Sequence, residues 1–317
     1  TTEIYTLSLH DALPIYTKLM TKPNMAAETN RLLPFLALGF GITVLGFSAI
    51  FVRWAGAPGS VMSFYRLGIA TLILTPIFLY KNKKQRVKLV SWDVLIFPII
   101  GGVTTALDHT IWSSAMDYTS AANATLLNYA APVWVALVAW LFFKEKMPRL
   151  FWFGLAFTFL GVGIVLGSDF LSHPSMGKGD LMAIISSFFY TGYFLTTQRG
   201  RKHFDTLTYI WIVGVTSTIV LLLINLAFQI PLTGYPPQAY WSFLGAAILS
   251  QIGGYISIGY ALGHIPASVV SPTMIAQPVL TAILAVPLLG EVLRPPQIIG
   301  GVIVIIGIFW VHQSRKD

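Results

Sequence analysis

The chain has 317 residues, 55% of them hydrophobic and only 10% charged, with a mean hydropathy of +0.72. Soluble domains carry about 25% charged residues, so a water-soluble globular fold is excluded. The net charge of +8 does not point to nucleic acid, because the basic residues sit in short segments between apolar runs, not on one soluble face. There is no cysteine, which removes disulfides, thiolate metal sites and cysteine nucleophiles.

Residues 1–19 lack the charged start and apolar core of a signal peptide. Their stretch "LHDALPI" reads as a translated sequencing adapter. The segment is therefore expected to be a non-native leader, with the natural start at Met20 or Met25 and residues 20–31 as a cytoplasmic tail.

From Leu32 to Val311, apolar runs of about 20 residues recur, the length that crosses ~30 Å of hydrocarbon as a helix. Breaking the chain at proline, glycine and charge clusters predicts ten spans: 32–52, 59–80, 92–114, 119–143, 149–168, 179–199, 206–229, 239–260, 266–289 and 296–313. The polar seam "DYTSAANAT" makes the boundary between spans 3 and 4 the least distinct. The expected fold class is an all-α polytopic membrane protein.

Lysine and arginine set the orientation. With the N-terminus inside, sixteen of the twenty basic residues fall on cytoplasmic segments, including Lys81, Lys83, Lys84, Arg86 and Lys88 between spans 2 and 3. Only Arg53, Lys178 and Arg294 lie outside, and Arg66 lies within span 2. Both termini are thus expected in the cytoplasm.

The sequence repeats itself at an offset of 146 without a gap. "AAPVWVALVAWLFFKEKMPRLFWFG" (130–154) overlies "AQPVLTAILAVPLLGEVLRPPQIIG" (276–300), matching Pro132 to Pro278, Glu145 to Glu291 and Gly154 to Gly300. The same register matches Gly161 to Gly307 and Ala115 to Ala261. Five spans per half is an odd number, so the halves, 32–168 and 179–313, are expected to be inverted with respect to each other. Inverted repeats with a site near the midplane characterise secondary transporters. Glu145 and Glu291 then stand at equivalent turns on opposite faces. They read either as gating carboxylates or, at the water boundary, as turn residues capping a helix start; the second reading is preferred.

This doubled proline–glutamate–glycine pattern, with five spans per half, resembles the drug/metabolite transporter superfamily, and within it the ten-helix EamA-type family. The resemblance covers residues 32–313. It implies a carrier of the bacterial inner membrane, often an exporter of amino acids, other metabolites or drugs, working by proton antiport or exchange. Uptake or facilitated diffusion by the same fold is the alternative, and the substrate is left open.

Ionisable side chains at bilayer depth are costly and usually face a cavity. Three stand clearly at depth: Arg66, Asp108 and His109. Arg66 lies about 10 Å and Asp108 about 9 Å from the outer ends of their spans at 1.5 Å per residue, so an Arg66–Asp108 pair is expected. It reads as a buried structural bridge, or as a coupling site in which Asp108, helped by His109, takes up a proton. A neighbouring carboxylate would favour the charged form of His109. A second set at mid-depth, Asn128, Tyr129, Gln251, Tyr255 and Gln277, with Trp112 near the outer mouth, would line a cleft for a small polar or zwitterionic solute. Its plainer reading is interhelical hydrogen bonding.

Pro132 and Pro278 are expected to break spans 4 and 9 within the membrane. The small residues of spans 5 and 10 are expected to pack helices closely, inside one chain or across a homodimer. Trp54, Trp92 and Trp241 read as interface anchors. A membrane enzyme would show HExxH, GxSxG or a close carboxylate pair at depth, a channel a selectivity loop, and neither is present. A scaffold would not need charges in the bilayer. No cofactor, metal or nucleic acid is expected; the partners are the bilayer, a small-molecule substrate and protons.

Overall fold

The computed structural model describes residues 32–85, 92–115, 117–119, 121–170, 177–290 and 295–314. Residues 1–31, with both candidate starts, and Glu291 lie outside these. Among the described residues the protein is all-helical.

Helix α1 runs Leu33–Ala55, with proline at its start and Gly56 at its end in the left-handed region (φ 56°). Glycine carries no Cβ penalty there, so the chain turns sharply into α2, Gly59–Gln85. Helix α3 is Trp92–Ala115. The fourth span is broken: α4 (Ala121–Asn128) stops, and α5 (Ala131–Leu141) restarts with Pro132 in its first turn. Pro132 has no N–H to give to the carbonyl of Asn128, so the helix cannot run through. Helices α6 (Arg149–Phe170), α7 (Lys178–Gly200) and α8 (Thr206–Ala227) follow. Asp180 caps α7 by accepting from the Gly177 N–H at 2.9 Å, and Asp205 caps α8 by accepting from the Thr208 N–H at 3.1 Å.

The eighth span begins as α9 (Pro237–Gly245), widens to a π-helix over Ala246–Tyr255, and closes as α10 (Ile256–Leu262). The ninth passes from α11 (Ala267–Thr273) through a 3₁₀ turn to α12 (Gln277–Leu289), which has Pro278 in its first turn. Pro132 therefore breaks its span, as expected, whereas Pro278 follows a 3₁₀ turn in a helical run that continues over Ala267–Leu288. Helix α13 is Pro295–Gln313.

Among the described residues, seven helical runs are long and apolar enough to cross a membrane. Of the ten spans expected, three do not meet that measure as continuous apolar helices. Span 4 is split, leaving Ala131–Leu141 as a short apolar helix, and α6 counts only as Arg149–Val165. Helix α7 spans 23 residues, but Ser186, Ser187, Thr191, Thr196 and Thr197 lower its hydropathy.

The tightest crossing joins α6 to α13. A Cβ on Gly161 would stand 2.7 Å from the Gly300 carbonyl, and one on Gly154 would stand 2.8 Å from that of Gly307. The earlier glycine of α6 meets the later one of α13, so the helices cross antiparallel, backbone against backbone. Matched glycines of the two halves thus meet inside one chain. Elsewhere α3 lies along α7, and at the corresponding place in the second half the π-segment lies along α1. The core runs through the middle of the bundle, where Leu38 and Ile42 of α1 meet Tyr193 and Phe194 of α7 and Ile258 of α10. Leu72, Phe142, Phe228, Trp92 and Trp241 face outward, as side chains do when the surrounding solvent is lipid.

Candidate functional site

Six helical segments, α1, α2, α3, α4, α7 and the π-segment, contribute to one buried polar layer. Arg66 of α2 and Asp108 of α3 are only 7% and 6% exposed. The expected pair does not form between them. Asp108 accepts from the Asn128 amide at 2.8 Å, whereas Arg66 turns its Nη2 to the His109 ring, 3.0 Å from Nδ1 and 3.2 Å from Nε2. Helical geometry explains the correction. Consecutive residues point about 100° apart around a helix, so α3 presents His109 to α2 and Asp108 to α4.

The neighbour of His109 is therefore a guanidinium rather than a carboxylate. Arginine has donors only, so the ring nitrogen facing it must accept. That contact needs a neutral imidazole, not the charged form expected. Ser63, one turn before Arg66 on α2, stands 3.0 Å from His109 Nδ1. The Nη1 of Arg66 reaches Ser48 of α1 at 3.4 Å, while its Nε is buried without a partner.

The Asn128 nitrogen also donates to Ser186 of α7 at 2.8 Å. Tyr255, at the end of the π-segment, holds its ring 5.8 Å from Arg66 Cζ and edge-on to Tyr193, with centroids 5.6 Å apart. Tyr190 extends this wall, with its ring centroid 6.3 Å from that of Tyr193 and 4.7 Å from that of Phe194. So the structure brings together Arg66, Asp108, His109, Asn128 and Tyr255, while Tyr129 packs with Phe151 and Ile275. Gln251, 5% exposed, shares the π-segment with Tyr255, and its Oε1 is buried without a partner.

Two expected lining residues stand apart. Gln277 donates to the Leu45 carbonyl at 3.2 Å, and four residues on Thr281 donates to that of Gly46 at 3.0 Å, stitching α12 to α1. Trp112 packs with Ala115, Ala124 and Ala183, and its Nε1 is buried without a partner. Glu145 accepts from the Ser268 hydroxyl at 2.8 Å, in the first turn of α11, a contact between side chains and not with a backbone N–H.

Ser48, Ser63, Ser186, Tyr190 and Tyr193 escaped the reading of the sequence. The signal for three of them was there: Ser186, Tyr190 and Tyr193 recur at helical spacing, on one face with Thr197. A further polar contact, Ser60 Oγ donating to Asn225 Oδ1 at 2.8 Å, joins α2 to α8.

The profile of the EamA-like transporter family matches residues 30–167 and again 177–312. The chain belongs to the EamA-like transporter family. It is 25% identical over 252 residues to the uncharacterized transporter YyaM of Bacillus subtilis, covering 77% of this chain and 81% of that one. An uncharacterized transporter of Archaeoglobus fulgidus is 28% identical over 262 residues, covering 81% and 88%. The pseudopaline exporter CntI of Pseudomonas aeruginosa PAO1 is 23% identical over 264 residues, covering 83% and 89%. A solved crystal structure superposes with a TM-score of 0.75 at 16% identity, over 90% of this chain and 100% of that chain, a likeness of fold. This EamA-family protein is a multi-pass membrane protein of the drug/metabolite transporter type.

Proposed function

We propose that the protein is a secondary carrier that exports a small solute across the bacterial inner membrane by alternating access, in exchange for protons. The observation that carries this reading is the charged layer of Arg66, His109 and Asp108, buried where helices of both halves meet. Charges at bilayer depth cost several kcal/mol unless they serve a pathway. A scaffold would have no use for them, and no enzyme motif accompanies them.

On this reading the chain has ten spans in two inverted halves, 32–168 and 179–313, with both termini in the cytoplasm. The doubled family match and the antiparallel meeting of matched glycines across α6 and α13 support the inversion. The bias of basic residues supports the orientation. Asp108 is the coupling carboxylate: a proton on it would remove the charge that Asn128 holds, and Tyr129 and Tyr255 would meet the solute beside it. The name of the CntI relative supports export.

Flux in proteoliposomes tests the reading. With a pH gradient imposed, uptake of the carried solute into acid-loaded vesicles is expected to exceed that without a gradient. Equal flux under both conditions would reduce the protein to a facilitator. The cysteine-free chain also allows single cysteines at Lys83 and Gly234 to report sidedness. An impermeant maleimide applied to intact cells is expected to label only position 234, and labelling of position 83 would overturn the orientation.

A further inference from the structure

We propose that Arg66, Tyr255 and Gln251 form the recognition site of an organic anion, with a carboxylate on Arg66 and a neutral N–H or O–H donor of the same molecule on Gln251. The guanidinium is buried, yet its hydrogen-bonding partners, His109 and Ser48, are neutral. The one carboxylate of the layer, Asp108, is turned toward Asn128. Its Nε–H is left unpartnered. Nε–H and a neighbouring Nη–H form one edge of the planar fork, and such an edge matches the two oxygens of a carboxylate. A buried cation among neutral groups is costly, and an incoming anion relieves that cost.

The Tyr193 hydroxyl is a second orphan and the Gln251 acceptor a third. Gln251 lies four residues before Tyr255 on the π-segment, which places the two nearly above one another, since that helix closes its hydrogen bonds five residues apart. A carbonyl oxygen accepts only a donor. Because the same molecule would also bear on Arg66, an ammonium on it would meet like-charge repulsion in a low dielectric, so a hydroxyl or amide donor fits better. Tyr255, Tyr193 and Tyr190 form a continuous aromatic wall, with successive centroids 5.6 and 6.3 Å apart. The body of the ligand is therefore aromatic or branched apolar. The ligand class is a neutral-donor carboxylate, such as a 2-hydroxy or N-acyl acid, in preference to a free amino acid. Its passage through the membrane rests on the transporter reading; its binding does not.

The test uses the full chain, purified in detergent, and three probes with one carbon skeleton: 3-phenyllactate, its neutral amide and zwitterionic phenylalanine. Thermal unfolding is followed at rising millimolar probe, since a ligand of the native state raises the midpoint. The acid is expected to stabilise the protein at concentrations about tenfold lower than the amide or phenylalanine. Arg66→Gln is expected to abolish the shift and Gln251→Leu to weaken it about tenfold. Equal shifts from acid and amide, an undiminished shift in Arg66→Gln, or no shift from the acid would each overturn the assignment. Should Arg66→Gln not yield monodisperse protein, Gln251→Leu and the acid-to-amide ratio of the native chain decide. Binding without counterflow of 3-phenyllactate in proteoliposomes would sink the transporter reading and leave the site standing. Counterflow that ignores the carboxylate would sink the site alone.

Discussion

Asn128 ties Asp108 to Ser186: one amide nitrogen donates to the carboxylate at 2.8 Å and to the hydroxyl at 2.8 Å. Asn128 is the last residue before the break that Pro132 imposes, so the carboxylate is held by the hinge of its neighbouring span. Movement at that break would reach Asp108 directly. Asn128→Leu removes the donor and leaves a buried acceptor unsatisfied, a loss of about 1–3 kcal/mol. The expected result is a lower melting temperature in detergent, and an unchanged one would show that the carboxylate finds another donor.

The α6–α13 crossing predicts a sharp contrast between glycines. In Gly161→Ala the new Cβ meets backbone at 2.6–2.7 Å, which no side-chain rotation relieves. Overpacking of this kind costs about 1–3 kcal/mol. Two residues on, Gly163 has nothing within 4 Å of such a Cβ, so Gly163→Ala is expected to be neutral or stabilising. Melting both variants in parallel checks the crossing.

Much of the architecture was legible in the sequence because lipid leaves so few options. Apolar length, Pro132 and the 146-residue offset reappear as helices, a break and a contact between the glycines of the two halves. Side-chain partners were less legible. Depth along a helix is readable from residue count, and it brought Arg66 and Asp108 to one level. Azimuth depends on the rotation of each helix against its neighbours, and that rotation gave Arg66 to His109 and Asp108 to Asn128. Gln277 illustrates the same limit, since a mid-depth amide reads alike whether it faces a cleft or staples two helices. The π-segment around Gln251 left no composition signal, because its residues differ little from those of an ordinary span.

Glu145 tests the reading of a turn residue against that of a gate. Its carboxylate accepts from Ser268 at the start of α11, so Glu145→Gln keeps an acceptor of similar reach. Flux within about twofold of the native rate is expected, with at most about 1 kcal/mol lost in stability. A loss of flux without loss of stability would return Glu145 to a gating role.

At the start of α8, Lys81 Nζ lies 2.7 Å from Asp205 Oδ1, both side chains being partly exposed. Burial works against the Asp205 carboxylate, but hydrogen bonds from Lys81 and Thr208 outweigh it and hold its pKa below the usual value. A depressed folded pKa contributes stability that is present above the unfolded value of about 4 and is lost as pH falls through the folded one. Unfolding below pH ~4 is therefore expected to be less steep in Asp205→Asn than in the native chain. Near neutrality Asp205→Asn keeps the cap and costs well under 1 kcal/mol, since an exposed pair is screened. Asp205→Ala loses cap and pair and costs about 1 kcal/mol. Equal costs for the two variants would contradict the capping role.

The central claim is that Asp108 couples a solute to protons. It is tested most directly by substrate-triggered proton movement in inverted membrane vesicles, followed with a pH-sensitive dye, for the native chain and Asp108→Asn. The amide variant keeps the volume of the carboxylate and removes its charge. The account predicts that the carried solute collapses the gradient with the native chain and leaves it intact with a folded Asp108→Asn protein. A gradient that collapses equally in both would contradict it and leave Asp108 a structural partner of Asn128.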